Sequence, residues 1–121
     1  MTPARYNAFC AALPPTFHVV QWGGALVWKV GGAKGKVFAI AWDEGAKGLH
    51  VTFKCSQMSF DLLKEQPGLR PAPYLASRGM LWLQRTDSRS MDDAALCDYI
   101  RESHRLAAQN LTKTIRTRLA L

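Results

Sequence analysis

Residues 26–55 read LVWKVGGAKGKVFAIAWDEGAKGLHVTFKC. Three stretches in it alternate with a period of two. They are Leu26, Trp28 and Val30; then Phe38, Ile40 and Trp42; then Leu49, Val51, Phe53 and Cys55. That period sends successive side chains to opposite faces of a strand. Gly31-Gly32-Ala33-Lys34-Gly35 and residues 43–48 punctuate the run. Both connections are too short for a parallel crossover, so the strands are expected to pair antiparallel. The last stretch has the cleanest split: its apolar set faces a core, and His50, Thr52 and Lys54 face out.

Upstream, Phe17 to Trp22 reads as a further strand, closed by Gly23-Gly24. Before it, Tyr6, Phe9, Cys10 and Leu13 recur at helical spacing. Thr2 and Pro3 suit the cap and first position of that helix, and Pro14-Pro15 ends it. Downstream, Ser56 or Ser59 is expected to cap a short helix carrying Phe60, Leu62 and Leu63, stopped by Pro67-Gly68. A loop with Pro71 and Pro73 follows, then a fifth strand from Met80 to Arg85. The rest reads as one long helix. Ser90 is its expected cap, with Asp92 and Asp93 in the first turn, where the helix dipole favours negative charge. Leu96, Ile100, Ala107, Leu111 and Ile115 form its core stripe, with Ser103 in the gap. The expectation is an α+β domain over residues 1–121: an antiparallel sheet of about five strands against N- and C-terminal helices.

Composition narrows the function classes. Sixteen Lys and Arg against nine Asp and Glu give +7, which favours a polyanionic partner such as nucleic acid. Three cysteines, none in a C-x-x-C pair, argue against a disulfide framework and fit a reducing cytoplasm. No secretory signal pattern and no run of some eighteen apolar residues is present, so no membrane association is expected. His18, His50 and His104 lack metal-ligand spacing, and no carboxylate pair suggests acid–base work. Neither metal, cofactor nor reaction is therefore expected.

Several local words resemble the MmcQ/YjbR family. They are Phe9-Cys10 with Leu13-Pro14, then Trp28-Lys29-Val30-Gly31-Gly32 and Gly35-Lys36-Val37-Phe38-Ala39. Phe53-Lys54-Cys55, Pro67-Gly68-Leu69 and Pro71-Ala72-Pro73-Tyr74-Leu75 follow, with Trp82 in the next strand. The chain departs from the family pattern at Pro15, where glycine is usual, and at Ser56-Gln57, where Asp-Pro is usual. Its basic tail from Lys113 to Leu121 runs past the usual end. The resemblance implies a CyaY-like fold and a DNA-binding role through a "double wing" of hairpins.

The residues themselves offer cations for such a role. Gly31 to Lys36 lacks the spacing of a phosphate-binding P-loop and precedes a strand, so it reads as a hairpin turn. Lys34 and Lys36 on that tip can still reach phosphates, and Lys47 can do so from a second wing, beside Asp43 and Glu44. Lys54 joins them from the outer sheet face. Arg70, Arg78, Arg85 and Arg89 share a segment with Asp87 alone against them, and guanidinium grips phosphate bidentately. The expected nucleic-acid contacts are Lys34, Lys36, Lys47, Lys54, Arg70, Arg78 and Arg85. Arg101 and Arg105 follow Asp98 and Glu102 at helical pair spacing, so local ion pairs account for them. The alternative is a protein-interaction module, using an exposed Trp28 or Trp42 on the sheet as a hot spot. A contiguous Lys/Arg surface favours the first reading, and a contiguous apolar sheet face the second.

Overall fold

The structure is a computed structural model that describes residues 1–121 apart from Trp22, Ala33, Tyr74 and the side chain of Ser77. The expected strand end at Trp22 therefore lies outside the described residues. Helix α1 spans Pro3–Ala11, and the Thr2 hydroxyl oxygen accepts from the Arg5 amide at 3.1 Å. Such a cap satisfies one of the unpaired donors of the first turn and is worth about 1 kcal/mol.

The strands are β1 Thr16–Gln21, β2 Ala25–Val30, β3 Lys36–Asp43, β4 Leu49–Lys54, β5 Leu69–Pro71 and β6 Trp82–Arg85. They form one sheet in the order β1-β2-β3-β4-β6-β5, every pair antiparallel. The sheet therefore has six strands rather than about five. The addition is β5, three residues long and too short to show a period. The register shifts between Trp28 and Lys29, a bulge in the central hairpin. At the hairpin tip only glycine fits position 35, because a Cβ there would run into the Val30 carbonyl oxygen.

Helix α2 is Gln57–Leu63, capped by Ser56, whose hydroxyl accepts from the Ser59 amide at 3.1 Å. Two details of the C-terminal half differ from expectation. Asp92, not Ser90, caps α3 (Asp93–Ala108), accepting from the Ala95 amide at 2.8 Å. The long helix also breaks after residue 108. Thr112 caps a separate α4, Lys113–Leu119, and Leu111 turns into the core between them. Asn110 and Thr112 are residues whose side chains compete for backbone partners, and the stripe's spacing alone did not register that.

Helices α1 and α3 cover one sheet face. Tyr6, Cys10, Phe38, Val51, Phe53, Leu83, Leu96 and Ile100 are sealed from solvent there. Ser103 sits in the α3 stripe as expected, and its hydroxyl is fully used. It donates to the Phe38 carbonyl at 2.6 Å and accepts from the Lys54 amide at 2.8 Å, bridging β3 and β4 beyond their last paired residues. Trp28 and Trp82 are buried, and the Trp28 indole N–H donates to Asn7 at 2.9 Å. The other sheet face carries a smaller cluster: Ala25, Val27 and Ile40, with Val19, Val37, Trp42 and Leu75 against it. Leu75 belongs to the connection between β5 and β6, which folds over this open face.

Antiparallel order gives the sheet two distinct ends. The hairpin end holds the β2–β3 turn, the start of β3, the end of β4 and both ends of the β5–β6 connection. The opposite end holds the β3–β4 turn, the end of β6 and the start of α3. Helix α3 runs from the second to the first. Asp93 meets Arg85, Ser103 meets Phe38 and Lys54, and Leu111 lies against Gly31.

Candidate functional site

The expected contacts separate along this axis. Lys34 and Lys36 lie exposed at the hairpin end. Lys54 ends β4 there, on the open face. Arg78 is exposed in the β5–β6 connection that leaves and re-enters at that end. Leu111, in the α3–α4 corner, packs on Gly31, so α4 with Lys113, Arg116 and Arg118 starts beside this end, although Arg116 Nε is itself buried. Segments 31–36, 54–56, 71–82 and 105–119 contain no Asp or Glu. Arg105 is the cation of this group with a carboxylate partner, Glu102 one turn earlier on α3. In the sequence the α4 cations stand out only as a basic tail past the usual family end. Their placement beside the hairpin depends on the break before Thr112, which periodicity did not reveal.

Lys47 sits in the β3–β4 turn, at the opposite end. Strand β3 has eight residues, so the two turns are about 25 Å apart. The two lysine-bearing turns are not adjacent wings. Lys47 lines a shallow cleft with Asp87, Asp92 and Asp93, and Asp43 and Glu44 are its neighbours in the turn. Asp43 itself folds back to accept from the Gly45 amide at 3.0 Å.

Arg85 departs furthest from expectation. It is 3% exposed and lies on the helix-covered face, in register with Val51. Its Nε donates to the Met91 carbonyl at 3.0 Å and its Nη2 to Asp93 at 2.9 Å. The Met1 ammonium at 3.1 Å and Arg5 at 3.2 Å join the same carboxylate. Burial pushes the Asp93 carboxyl up, but the hydrogen bonds from the N-terminal ammonium and from Arg85 outweigh it. The group is held below the ordinary carboxylate range. Arg85 is thus withdrawn from any surface contact. Alternation carried the reason: Leu83 points to the core, and Arg85 two residues on shares its face.

Arg70 is exposed on the edge strand, but its guanidinium is aimed along the sheet. Nε donates to Gln84 Oε1 at 2.8 Å and Nη2 to the same oxygen at 2.5 Å. Gln84 Nε2 in turn donates to Thr52 Oγ1 at 3.1 Å. The register places Ile40, Thr52, Gln84 and Arg70 in one row across β3, β4, β6 and β5. This row floors a cleft of about 470 Å³ on the open face, with Trp42, Glu44, Pro73 and Leu75 completing its lining. Thr52 at 1% and Gln84 at 3% exposed are the buried polar pair of that face. The sequence marked Thr52 as outward but offered no partner for it, because β6 was not assigned to β4.

The thiols are quiet. Burial pushes Cys10 far above its ordinary value and Cys55 up to about 11. Cys97 on α3 is half-buried, and burial raises it too. Among the described residues no group of three His, Cys, Asp or Glu could hold a metal ion, and no helix is long and apolar enough to cross a membrane.

A family model described as YjbR matches residues 11–106. The chain belongs to the YjbR family. A protein of Deinococcus radiodurans, DR2400, with a DUF419 domain, superposes with a TM-score of 0.86 at 22% identity, over 99% of this chain and 88% of its own. A Pseudomonas syringae protein superposes at 0.71 and 16% identity, over 88% of this chain and 99% of its own. These likenesses establish the fold. No curated protein matches. The α+β architecture expected from the family words is the one observed. The YjbR match ends before α4, so Lys113, Arg116 and Arg118 lie outside the matched residues.

Proposed function

We propose that this YjbR protein is a non-enzymatic nucleic-acid-binding protein. In this reading it holds duplex DNA by its phosphates at the hairpin end of the sheet. The observation that supports the reading is that Lys34, Lys36, Lys54 and Arg78 lie toward one end of the sheet, where α4 also starts, in segments free of carboxylates. Cations without internal partners create a local positive field, which draws phosphate and releases its counterions. Lys47 and Arg85, both part of the sequence-based set, are left out. The first faces carboxylates, and the second is buried against Asp93. Base-edge recognition is not part of the proposal, since the turn-borne cations have the geometry of phosphate contacts rather than of a helix in a groove.

The protein-interaction alternative needed a continuous apolar open face. Leu75 packs on the small cluster of Ala25, Val27 and Ile40 on that face, Trp42 is half-buried beside it, and Trp28 is buried beneath the helices. The most exposed large apolar side chains, Phe17 and Val20 on the β1 edge and Met58 and Leu62 on α2, are spread over separate elements rather than along one sheet face.

The test is fluorescence anisotropy with a labelled duplex of about two helical turns at roughly 50 mM salt, where phosphate-driven affinity is strong. Saturable binding is expected. The logarithm of the association constant should fall with log salt by about 0.9 per phosphate contacted. No binding at that salt, or binding indifferent to salt, would remove the proposal.

A further inference from the structure

The cleft on the open sheet face has a chemistry of its own, independent of the basic end. Its floor is the row Ile40, Thr52, Gln84 and Arg70. Adjacent strands lie about 4.8 Å apart, so the row spans roughly 14 Å and grades from alkyl through hydroxyl and amide to guanidinium.

The hydrogen bonds along it run in one direction. Arg70 has only donors, so it fixes Gln84 with Oε1 facing the guanidinium and Nε2 facing Thr52. Thr52 Oγ1 must then accept, which leaves its own hydroxyl proton without a partner among the described residues. Among the described residues the second proton of Gln84 Nε2 and Nη1 of Arg70 likewise have no partner. Thr52 and Gln84 are almost wholly buried from solvent, so these are donors on a floor rather than on an open surface. No carboxylate pairs with Arg70 among the described residues.

The other walls are apolar. Ile40 and Trp42 form one side, and Pro73 and Leu75 overhang from the β5–β6 connection. About 470 Å³ is within the range of small-ligand sites. Glu44 lines the cleft just past the end of β3, on the Trp42 side. Its charge disfavours an anionic group there and so directs one towards Arg70.

We infer that this cleft binds a small aromatic carboxylate. The carboxylate meets Arg70, Gln84 and Thr52, and the ring lies between Trp42, Ile40 and Leu75. A charged acceptor matches a floor of donors, and a planar apolar body matches the walls. A cationic analogue of the same ring meets the guanidinium and the donors in this pose and has only the single exposed Glu44 to turn to, so it binds more weakly.

The experiment is a 15N-resolved NMR titration of the full chain with indole-3-acetate, paired with tryptamine as the ring-matched cation. Saturable shifts are expected at Thr52, Gln84, Arg70 and Leu75 with the acid, and at least about tenfold weaker binding of the amine. Arg70→Met should weaken the acid at least about tenfold. Arg70 is exposed on an edge strand, so that variant is expected to fold. Should circular dichroism show otherwise, Thr52→Val serves in its place, with a loss of about threefold. A protein carrying Lys34→Glu and Lys36→Glu should bind the acid as the parent does, which separates this site from the nucleic-acid surface. Absence of saturation by about 10 mM, shifts confined to the hairpin end, or equal affinity in a folded Arg70→Met protein would each overturn the inference.

Discussion

The two ends of the sheet use the same side chains in opposite ways. At the α3 start, Arg85, Arg5 and the Met1 ammonium converge on one carboxylate, Asp93, and Arg89 closes on Asp87 at 3.0 Å. At the hairpin end Lys34, Lys36, Lys54 and Arg78 have no such neighbours in their segments. A cation committed to an internal carboxylate stabilises the fold, and one without such a partner is available to an outside anion. The excess of Lys and Arg over Asp and Glu is therefore less telling than where the nine acids fall. They fall on α2 and in the turn that follows it, on the outer surface of α3 and at the end remote from the hairpin.

The largest effect expected from breaking this contrast lies at the Asp93 end. Asp93→Asn leaves Arg85 buried facing only neutral acceptors, the Met91 carbonyl and at most the new amide oxygen, among the described residues. Removing one member of a buried pair typically costs about 3–5 kcal/mol. Asp93 retains 27% exposure of its side chain, so solvent offsets part of this and about 2 kcal/mol is expected. Urea denaturation followed by circular dichroism measures it. The same residue gives a pH dependence. Its carboxyl is depressed in the folded protein, so its contribution is complete above the unfolded value of about 4. That contribution is lost as pH falls through the lower folded value. Acid unfolding should therefore be steeper in the parent than in Asp93→Asn, and parallel curves would show that Asp93 is not the group responsible. DNA affinity of Asp93→Asn at neutral pH should stay within about twofold of the parent.

The complementary break is at the hairpin. Lys34→Glu with Lys36→Glu should weaken duplex binding by about tenfold or more at roughly 50 mM salt and flatten the salt slope by about two. Both positions are exposed, so stability should shift by no more than about 0.5 kcal/mol. A variant that lost stability but kept its affinity would reverse the assignment of the two ends.

Much of this contrast could be read in the chain before its fold was known, and the failures have identifiable causes. The β2–β3–β4 meander was legible because three alternating runs meet at glycine turns. The α3 stripe was legible through Leu96, Ile100 and Ala107, and Ser103 in its gap proved to be the residue that ties β3 to β4. What escaped was non-local. Strand β5 is three residues long, and the pairing of β6 with β4 spans the whole 55–81 segment, so no local pattern encodes the Thr52–Gln84–Arg70 row. Grouping Arg70, Arg78 and Arg85 by proximity in the chain failed for the same reason. The first lies along the open face, the second in the connection above it, and the third beneath the helices.

The smallest predicted effect discriminates between two arrangements of wings. Two adjacent lysine-bearing hairpins would make Lys47 as important as Lys34. The antiparallel order places them at opposite ends of β3, and Lys47 shares its cleft with Asp87, Asp92 and Asp93. At about 25 Å the turns are more than two Debye lengths apart at physiological salt, so the field of Lys47 barely reaches a phosphate held at the hairpin. Lys47→Glu should then change duplex affinity by less than about twofold, against about tenfold or more for the hairpin pair. The comparison is best made at roughly 150 mM salt, where screening removes long-range contributions and leaves contact. An equal loss from both variants would mean that the duplex lies along the sheet and spans its two ends, with the carboxylates beside Lys47 displaced or neutralised on binding.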